Sequence, residues 1–161
     1  MKILILVVLS LSLLCTDLSA QEAPSLVINT KGAQPSVNGA TDYFTGVVRV
    51  DAPFKGAEGA RVSGATVTFE PSARTAWHSH PLGQTLVITS GAGFVQESGH
   101  AARSIKPGDT VWIPPNVKHW HGANATTHMT HIAISEVLDG NVVNWMEKVS
   151  DAQYAEAYSG I

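Results

Sequence analysis

The sequence of 161 residues predicts an all-β domain, a sandwich or barrel of short strands. From Thr45 onward, short stretches rich in β-branched and aromatic residues alternate with glycine and proline, which is typical of such folds. In one stretch Ala65, Val67 and Phe69 alternate with threonines, as on a strand with one buried face. Pro107-Gly108-Asp109 and Pro114-Pro115-Asn116 are strong turn signals, and Asn116 tolerates a left-handed backbone.

The first twenty residues are interpreted as a secretory signal peptide rather than as part of the fold. Lys2 precedes an almost unbroken apolar run from Ile3 to Leu14, and small Ala20 marks the predicted cleavage site. The run is shorter than the roughly 20 residues that span a membrane. We therefore expect a secreted, periplasmic protein without a membrane span, with a lipoprotein acylated at Cys15 as the alternative.

The mature chain divides into an arm, a barrel and a tail. Residues 21–43 are polar and predict a loose arm or an edge strand, and residues 44–140 predict the β-barrel. The predicted strands are Val47 to Val50, Val62 to Phe69, Thr85 to Thr89, Gly93 to Gln96, Thr110 to Ile113, Lys118 to His121 and His128 to Glu136. Gly91 and Gly93 are expected to bracket a hairpin.

Residues 141–161 form the tail, in which Ser150 and Gln153 have the spacing of a capping box at the start of a short helix. Docking of this helix to the barrel through an apolar set is one possibility, and a tail that simply covers a sheet edge is the other. The apolar set is Trp145, Val149, Tyr154 and Tyr158.

Composition excludes several functions. Cys15 is the only cysteine, so the mature chain has neither disulfides nor thiolate chemistry, and any metal site must use nitrogen and oxygen. The net charge is −3 and the basic residues are scattered, which does not suit a nucleic-acid partner.

His78, His80, Gln84 and His119 predict a metal site. Side chains alternate across a strand, so His78 and His80 point to the same side of an extended segment. Gln84 and the distant His119 could complete the ligand set from neighbouring strands. Neutral imidazole is the commonest protein ligand for first-row divalent metals.

These residues resemble the two motifs of the cupin superfamily. The first is Ser72-(five residues)-His78-Ser79-His80-(three)-Gln84-(six)-Gly91, and the second is Gly108-(five)-Pro114-Pro115-Asn116-(two)-His119. The resemblance implies a single-domain jelly-roll barrel (a double-stranded β-helix) with one metal held by His78, His80, Gln84 and His119. Ser72 and Asn116 replace the usual glycines at turn positions, and Gln84 replaces the usual glutamate.

The change at Gln84 affects the chemistry. Three imidazoles and an amide oxygen carry no charge, so a divalent ion would keep its full charge and act as a stronger Lewis acid. The alternative is a weakened or lost metal site in which Gln84 is a vestige.

Residues 73–86, 118–123 and 129–134 are similar to the bacterial cupins that include manganese-dependent (R)-selective hydroxynitrile lyases, where glutamine belongs to the ligand pattern. This resemblance implies cleavage of a small-molecule cyanohydrin to an aldehyde and hydrogen cyanide, with His131 in acid–base catalysis. It also implies manganese, although iron, cobalt, nickel and zinc accept the same ligands. Cupins of this type are commonly homodimers or homotetramers. Ser135 stands where the lyase has glutamine.

Several further residues are candidates for the substrate pocket. His121 shares a face with His119, and Ser135 shares a face with His131. Either histidine could instead be a hydrogen-bonded core residue. An inner wall of Ala65, Val67, Phe69 and Leu86 could contact an aromatic aldehyde or simply pack in the core.

The residues near the two motifs lead to two further expectations. His100 and His128 are expected at the surface. Trp77 and Trp120 are expected in a sheet–sheet or subunit interface, since they oppose the ligand histidines.

The sequence leaves three hypotheses for the function. They are a metal-dependent lyase, a quercetinase-like dioxygenase, and a non-catalytic cupin that binds a metal or a small anion.

Overall fold

The structure is a computed structural model, and it describes residues 25–30, 32–57 and 59–159. The predicted signal peptide, including Cys15, lies outside the described residues. Among the residues described, no helix has the length and apolar character that a membrane crossing requires.

The described chain forms thirteen strands and one helix. The strands are β1 (Val37–Asn38), β2 (Phe44–Thr45), β3 (Val48–Lys55), β4 (Val62–Phe69), β5 (Arg74–Thr75), β6 (His78–Ser79), β7 (Gln84–Gly91), β8 (Gly93–Glu97), β9 (Arg103–Ile105), β10 (Thr110–Ile113), β11 (His119–Ala123), β12 (Met129–Glu136) and β13 (Asn144–Trp145), and the helix is α1 (Asp151–Ser159). They build two antiparallel sheets, so the predicted all-β, jelly-roll class is confirmed.

The first sheet has six strands in the order β1-β3-β4-β12-β7-β10. β12 lies between β4 and β7, and His131 is directly opposite Val67 on one side and Ile88 on the other. The inward side chains form the main hydrophobic core, with Phe69, Leu86 and Met129 fully buried. This rigid core fixes the strand that carries His131.

The second sheet has seven strands and is organised around β11, which pairs with β5, β6 and β8. His119 on β11 is directly opposite His78 on β6. Because His119 and His121 alternate with Trp120, the two histidines face the first sheet and the indole faces outward. The candidate site therefore lies inside the barrel.

Several predicted elements are confirmed. β4 and β10 have the predicted limits, and Asn116 has the predicted left-handed backbone with φ of 63°. The hairpin expected between Gly91 and Gly93 is wrong, because β7 pairs with β10 and β12 while β8 pairs with β9 and β11. The chain instead changes sheets there, at a point where a Cβ on Gly91 would lie 1.8 Å from the His128 carbonyl oxygen.

The capping box at the start of α1 is confirmed. The Gln153 backbone N–H donates to the Ser150 hydroxyl, and the Ser150 backbone N–H donates to the Gln153 side-chain oxygen. The helix covers an outer sheet face rather than an edge, where Trp77, Trp120, Val149 and Tyr154 form a second core. The two tryptophans therefore lie under α1, instead of in a sheet–sheet or subunit interface.

A buried arginine secures this helix. Arg74 is 4% exposed and donates to the Val149 carbonyl and to the Asp151 carboxylate at the start of α1. The Tyr154 hydroxyl also donates to the Ala123 carbonyl at the end of β11, over 2.9 Å. The tail is thus bonded to the strands that carry the site.

Candidate metal centre and active site

The structure brings His78, His80 and His119 together inside the barrel. Their potential ligand nitrogens all lie within 4.8 Å of one another, and all three side chains are buried. Gln84, the first residue of β7, places its Oε1 3.3 Å from His119 Nε2. Four uncharged donor side chains thus converge from β6, β7, β11 and the segment after β6.

Backbone carbonyls orient all three imidazoles in the same way. The Nδ1 atoms of His78, His80 and His119 lie 3.0, 2.7 and 2.9 Å from the carbonyl oxygens of Ala76, Val142 and Val117. A carbonyl only accepts, so Nδ1 of His78 and His80 carries the proton and Nε2 keeps its lone pair. His119 Nε2 also lies near the Gln84 oxygen, but the shorter bond from Nδ1 to the Val117 carbonyl favours the same tautomer for His119. Such outer hydrogen bonds are typical of metal-ligating histidines.

Burial keeps these histidines neutral. Loss of hydration lowers the pKa of His119 to about 4, and it lowers the pKa of His78 and His80 as well. His80 Nε2 is buried and has no hydrogen-bond partner within the described part of the chain. Neutral, oriented imidazoles with a free lone pair fit a divalent metal, and the three buried histidines could hold one.

His121 and His131 form a second histidine pair beside this cluster. His131 Nε2 lies 3.3 Å from His121 Nδ1, and the two ring centroids are 4.9 Å apart. Burial lowers the pKa of His131 to about 4 and the pKa of His121 well below its usual value, so both rings are neutral. The outer nitrogens, His121 Nε2 and His131 Nδ1, have no partner among the described residues.

This arrangement has a chemical consequence. In a neutral pair, one inner N–H donates to the other ring's inner nitrogen. Whichever ring donates, one outer nitrogen carries a lone pair and the other carries a proton. The pair can therefore accept a proton at one atom and donate one at another.

A cavity of about 140 Å³ joins the two histidine groups. Its lining consists of Phe44, Val67, Phe69, Thr75, His78, His80, Gln84, His121, His131, Ala133, Val143 and Trp145. One part of the wall is polar and comes from the histidines, Gln84 and Thr75. The other part is apolar and largely aromatic. The site therefore combines potential metal ligands, a proton-transfer group and an apolar surface.

The predicted pocket residues separate into two groups. Val67, Phe69, His121 and His131 line the cavity, whereas Ala65, Leu86 and Ser135 do not. Leu86 is 0% exposed and packs in the main core, and Ala65 packs against the same core. Ser135 is directly opposite Gln84 on the neighbouring strand, so it is adjacent to a predicted ligand rather than to the cavity.

Sequence reasoning missed five lining residues: Phe44, Thr75, Ala133, Val143 and Trp145. Ala133 is two residues from His131, so strand parity could have found it. Thr75 is three residues before His78, so parity alone places it on the opposite side. Trp145 was expected to dock the helix, but it contacts His78 instead, with ring centroids 4.9 Å apart. Its strand, β13, has only two residues, too few to show an alternation of apolar and polar side chains in the sequence. His100 and His128 are exposed, as predicted.

The fold and the site together define a class: small antiparallel barrels with an internal histidine cluster that can hold one metal ion. Residues 65–135 match the cupin domain family. The chain is 58% identical over 127 residues to the (R)-mandelonitrile lyase of Granulicella tundricola, which covers 79% of this chain and 97% of that protein. The chain belongs to the cupin family and is close to mandelonitrile lyase-like cupins.

Solved structures agree with this assignment. A cupin-like protein from Thermotoga maritima superposes with a TM-score of 0.73 at 42% identity, covering 84% of this chain and 99% of the other. A cupin 2 conserved barrel domain protein from Rhodopseudomonas palustris gives a TM-score of 0.57 at 15% identity, covering 76% and 81%. The second likeness supports the fold alone.

Proposed function

We propose that the protein is a metal-dependent lyase that cleaves cyanohydrins to an aldehyde and hydrogen cyanide, and that it also catalyses the reverse addition. The observation that carries this proposal is the neutral His121–His131 pair, which lines the same cavity as His78 and His80, two of the three converged histidines. The 58% identity to a mandelonitrile lyase supports the choice of reaction.

His78, His80, His119 and Gln84 would hold the metal, for which we propose manganese. A bound divalent ion would supply Lewis acidity, which makes a cyanohydrin hydroxyl more acidic or a carbonyl more electrophilic. The four side chains contribute no negative charge. They therefore preserve that acidity, while the carbonyls of Ala76, Val142 and Val117 keep the imidazoles oriented.

His131 would move the proton. In the cleavage direction its neutral ring accepts the proton of the substrate hydroxyl, the carbon–cyanide bond breaks with its electron pair on cyanide, and the aldehyde forms. Protonated His131 then returns the proton to cyanide, which leaves as hydrogen cyanide, so atoms and charge balance. Burial favours the neutral form before the reaction, and His121 orients the ring through the 3.3 Å contact.

The test is cyanide release from mandelonitrile by purified protein loaded with manganese, compared with chelator-treated protein. His131→Gln is expected to lower kcat by about 10²- to 10⁴-fold, the usual contribution of a positioned acid–base group, while bound manganese stays constant. His128→Gln is the matched control, because His128 is exposed. No release above the metal-free sample would reject the proposal. Oxygen uptake with flavonol-like or enediol substrates would point to the dioxygenase instead.

We also propose that residues 1–20 direct export to the periplasm and that the mature protein is a homodimer or homotetramer. Mass spectrometry of the protein expressed from the full chain would show cleavage after Ala20, or acylation at Cys15 if the lipoprotein alternative holds. Light scattering of the mature form would give its oligomeric state, and a monomer would contradict that part of the proposal.

A further inference from the structure

The segment just before α1 closes the cavity on one side. Its Val142 carbonyl oxygen lies 2.7 Å from His80 Nδ1, and Val143 and Trp145 line the cavity. Trp145 is directly opposite His78 in the pairing of β13 with β6. The indole is therefore tied to the histidine cluster through the backbone as well as through ring contact.

Other aromatic rings hold the Trp145 indole in one orientation. Tyr43 stacks on it at a centroid distance of 4.7 Å and an interplanar angle of 12°, and Phe44 meets it edge-on at 5.7 Å. The His78 ring lies 4.9 Å away at 39°. An aromatic wall fixed in this way loses little conformational freedom when a ligand packs against it.

The whole cavity, with its polar and apolar parts together, has a volume of about 140 Å³. This is close to the volume of an engineered apolar cavity of about 150 Å³ that binds benzene, so there is room for one small aromatic ring. Phe44, Phe69, Val67 and Trp145 form the apolar part, and the histidines form the polar part. A substrate whose reacting carbon faces His131 has its substituent among these apolar side chains.

We propose that Trp145 is a specificity-determining residue that selects aryl over alkyl substituents on the substrate, with Tyr43 as the residue that positions it. The inference rests on the proposed cyanohydrin chemistry. It names Trp145 as the part of the cavity wall that favours aryl cyanohydrins. A favourable aromatic pair contributes about 2- to 10-fold beyond the burial of area, and an alkyl group cannot gain it.

The experiment compares kcat/KM for mandelonitrile and for the cyanohydrin of cyclohexanecarbaldehyde, an alkyl aldehyde of similar size, on the same manganese-loaded samples. Trp145→Leu is expected to lower the aryl-to-alkyl ratio by about 3- to 10-fold, and Trp145→Phe by less. Because both substrates are measured on one sample, any loss of bound metal cancels in the ratio. Tyr43→Leu, which loosens the indole without altering β13, is expected to move the ratio in the same direction by a smaller factor.

Trp112→Leu is the matched control, since Trp112 is 59% exposed and does not line the cavity. An unchanged ratio in both Trp145 variants would overturn the inference and leave the lyase proposal intact. If the wild type releases no cyanide, the proposed function fails. The inference about Trp145 can then still be tested by measuring the binding of benzyl alcohol in calorimetric titrations. Weaker binding to Trp145→Leu than to Trp112→Leu supports an aryl wall, and equal binding overturns it.

Discussion

Acid should destabilise the metal-free protein steeply, because the site buries several neutral histidines. In the unfolded chain a histidine has a pKa near 6.5, whereas burial lowers the pKa of His119 and His131 to about 4 in the folded chain. Between those two pH values the unfolded state binds more protons than the folded state. Stability is therefore fully present above about pH 6.5 and is lost as the pH falls toward 4.

The pKa values of His119 and His131 set the scale of this loss. Each histidine shifted from about 6.5 to about 4 costs about 2 kcal/mol of folding free energy between pH 7 and pH 5, so His119 and His131 together cost about 4 kcal/mol. Total stabilities of single domains are about 5–15 kcal/mol, so this share is large. The lowered pKa values of His78, His80 and His121 add to the loss.

The assay is urea unfolding of chelator-treated protein at pH 7, 6 and 5, followed by circular dichroism. His131→Gln removes one titrating group, so it should lose about 2 kcal/mol less than the wild type between pH 7 and pH 5, whatever its stability at pH 7. His100→Gln, at an exposed position, should follow the wild type. If His131→Gln and the wild type lose the same free energy, the claim that His131 is buried and neutral is refuted.

Three further substitutions probe the ligand set and the strands that support it. Gln84→Glu adds a negatively charged ligand atom, so the manganese affinity measured by calorimetry should rise at least about tenfold, while the rate of cyanide release per bound metal should fall. If neither value changes, Gln84 is not a ligand. Gly122→Ala places a Cβ 2.5 Å from the Ala73 carbonyl oxygen, so it should destabilise the protein by more than about 2 kcal/mol and weaken metal binding. Gly108→Ala strains the backbone, since φ is 94°, but its Cβ meets no atom within 4 Å, so it should cost stability and leave metal binding unchanged. Tyr154→Phe removes the hydrogen bond to the Ala123 carbonyl and should cost about 1 kcal/mol in urea unfolding, and a neutral effect would mean that this bond does not secure α1.

The structural features that depend on the spacing of neighbouring residues could be predicted from the sequence. The strand of Val62–Phe69 shows its alternation directly, and the parity of His78 with His80 and of His119 with His121 places all four rings inside the barrel. The capping box at Ser150 is equally local. The family resemblance predicts that the two histidine motifs, which are distant in the sequence, form one site. No local pattern carries that information.

The remainder depends on which distant strands pair. β6 and β13 have two residues each, too few for a readable alternation, yet their pairing brings Trp145 against His78. The change of sheet after Gly91 looks like a hairpin turn in the sequence, because the same glycines serve both. Leu86 and Phe69 are both inward-facing, and only the packed barrel shows that Phe69 reaches the cavity while Leu86 stays in the core.

One physical cause, burial, links the proposed metal ligands to the proposed base. It keeps the ligand imidazoles unprotonated at neutral pH, so that their Nε2 lone pairs are available, and it keeps His131 in the form that accepts a proton. A carboxylate at position 84 would oppose this arrangement, since a negative charge inside the barrel favours protonated imidazole and reduces the charge of a bound ion. The neutral amide of Gln84 avoids both effects, so the same site can hold a strongly acidic metal and a neutral base.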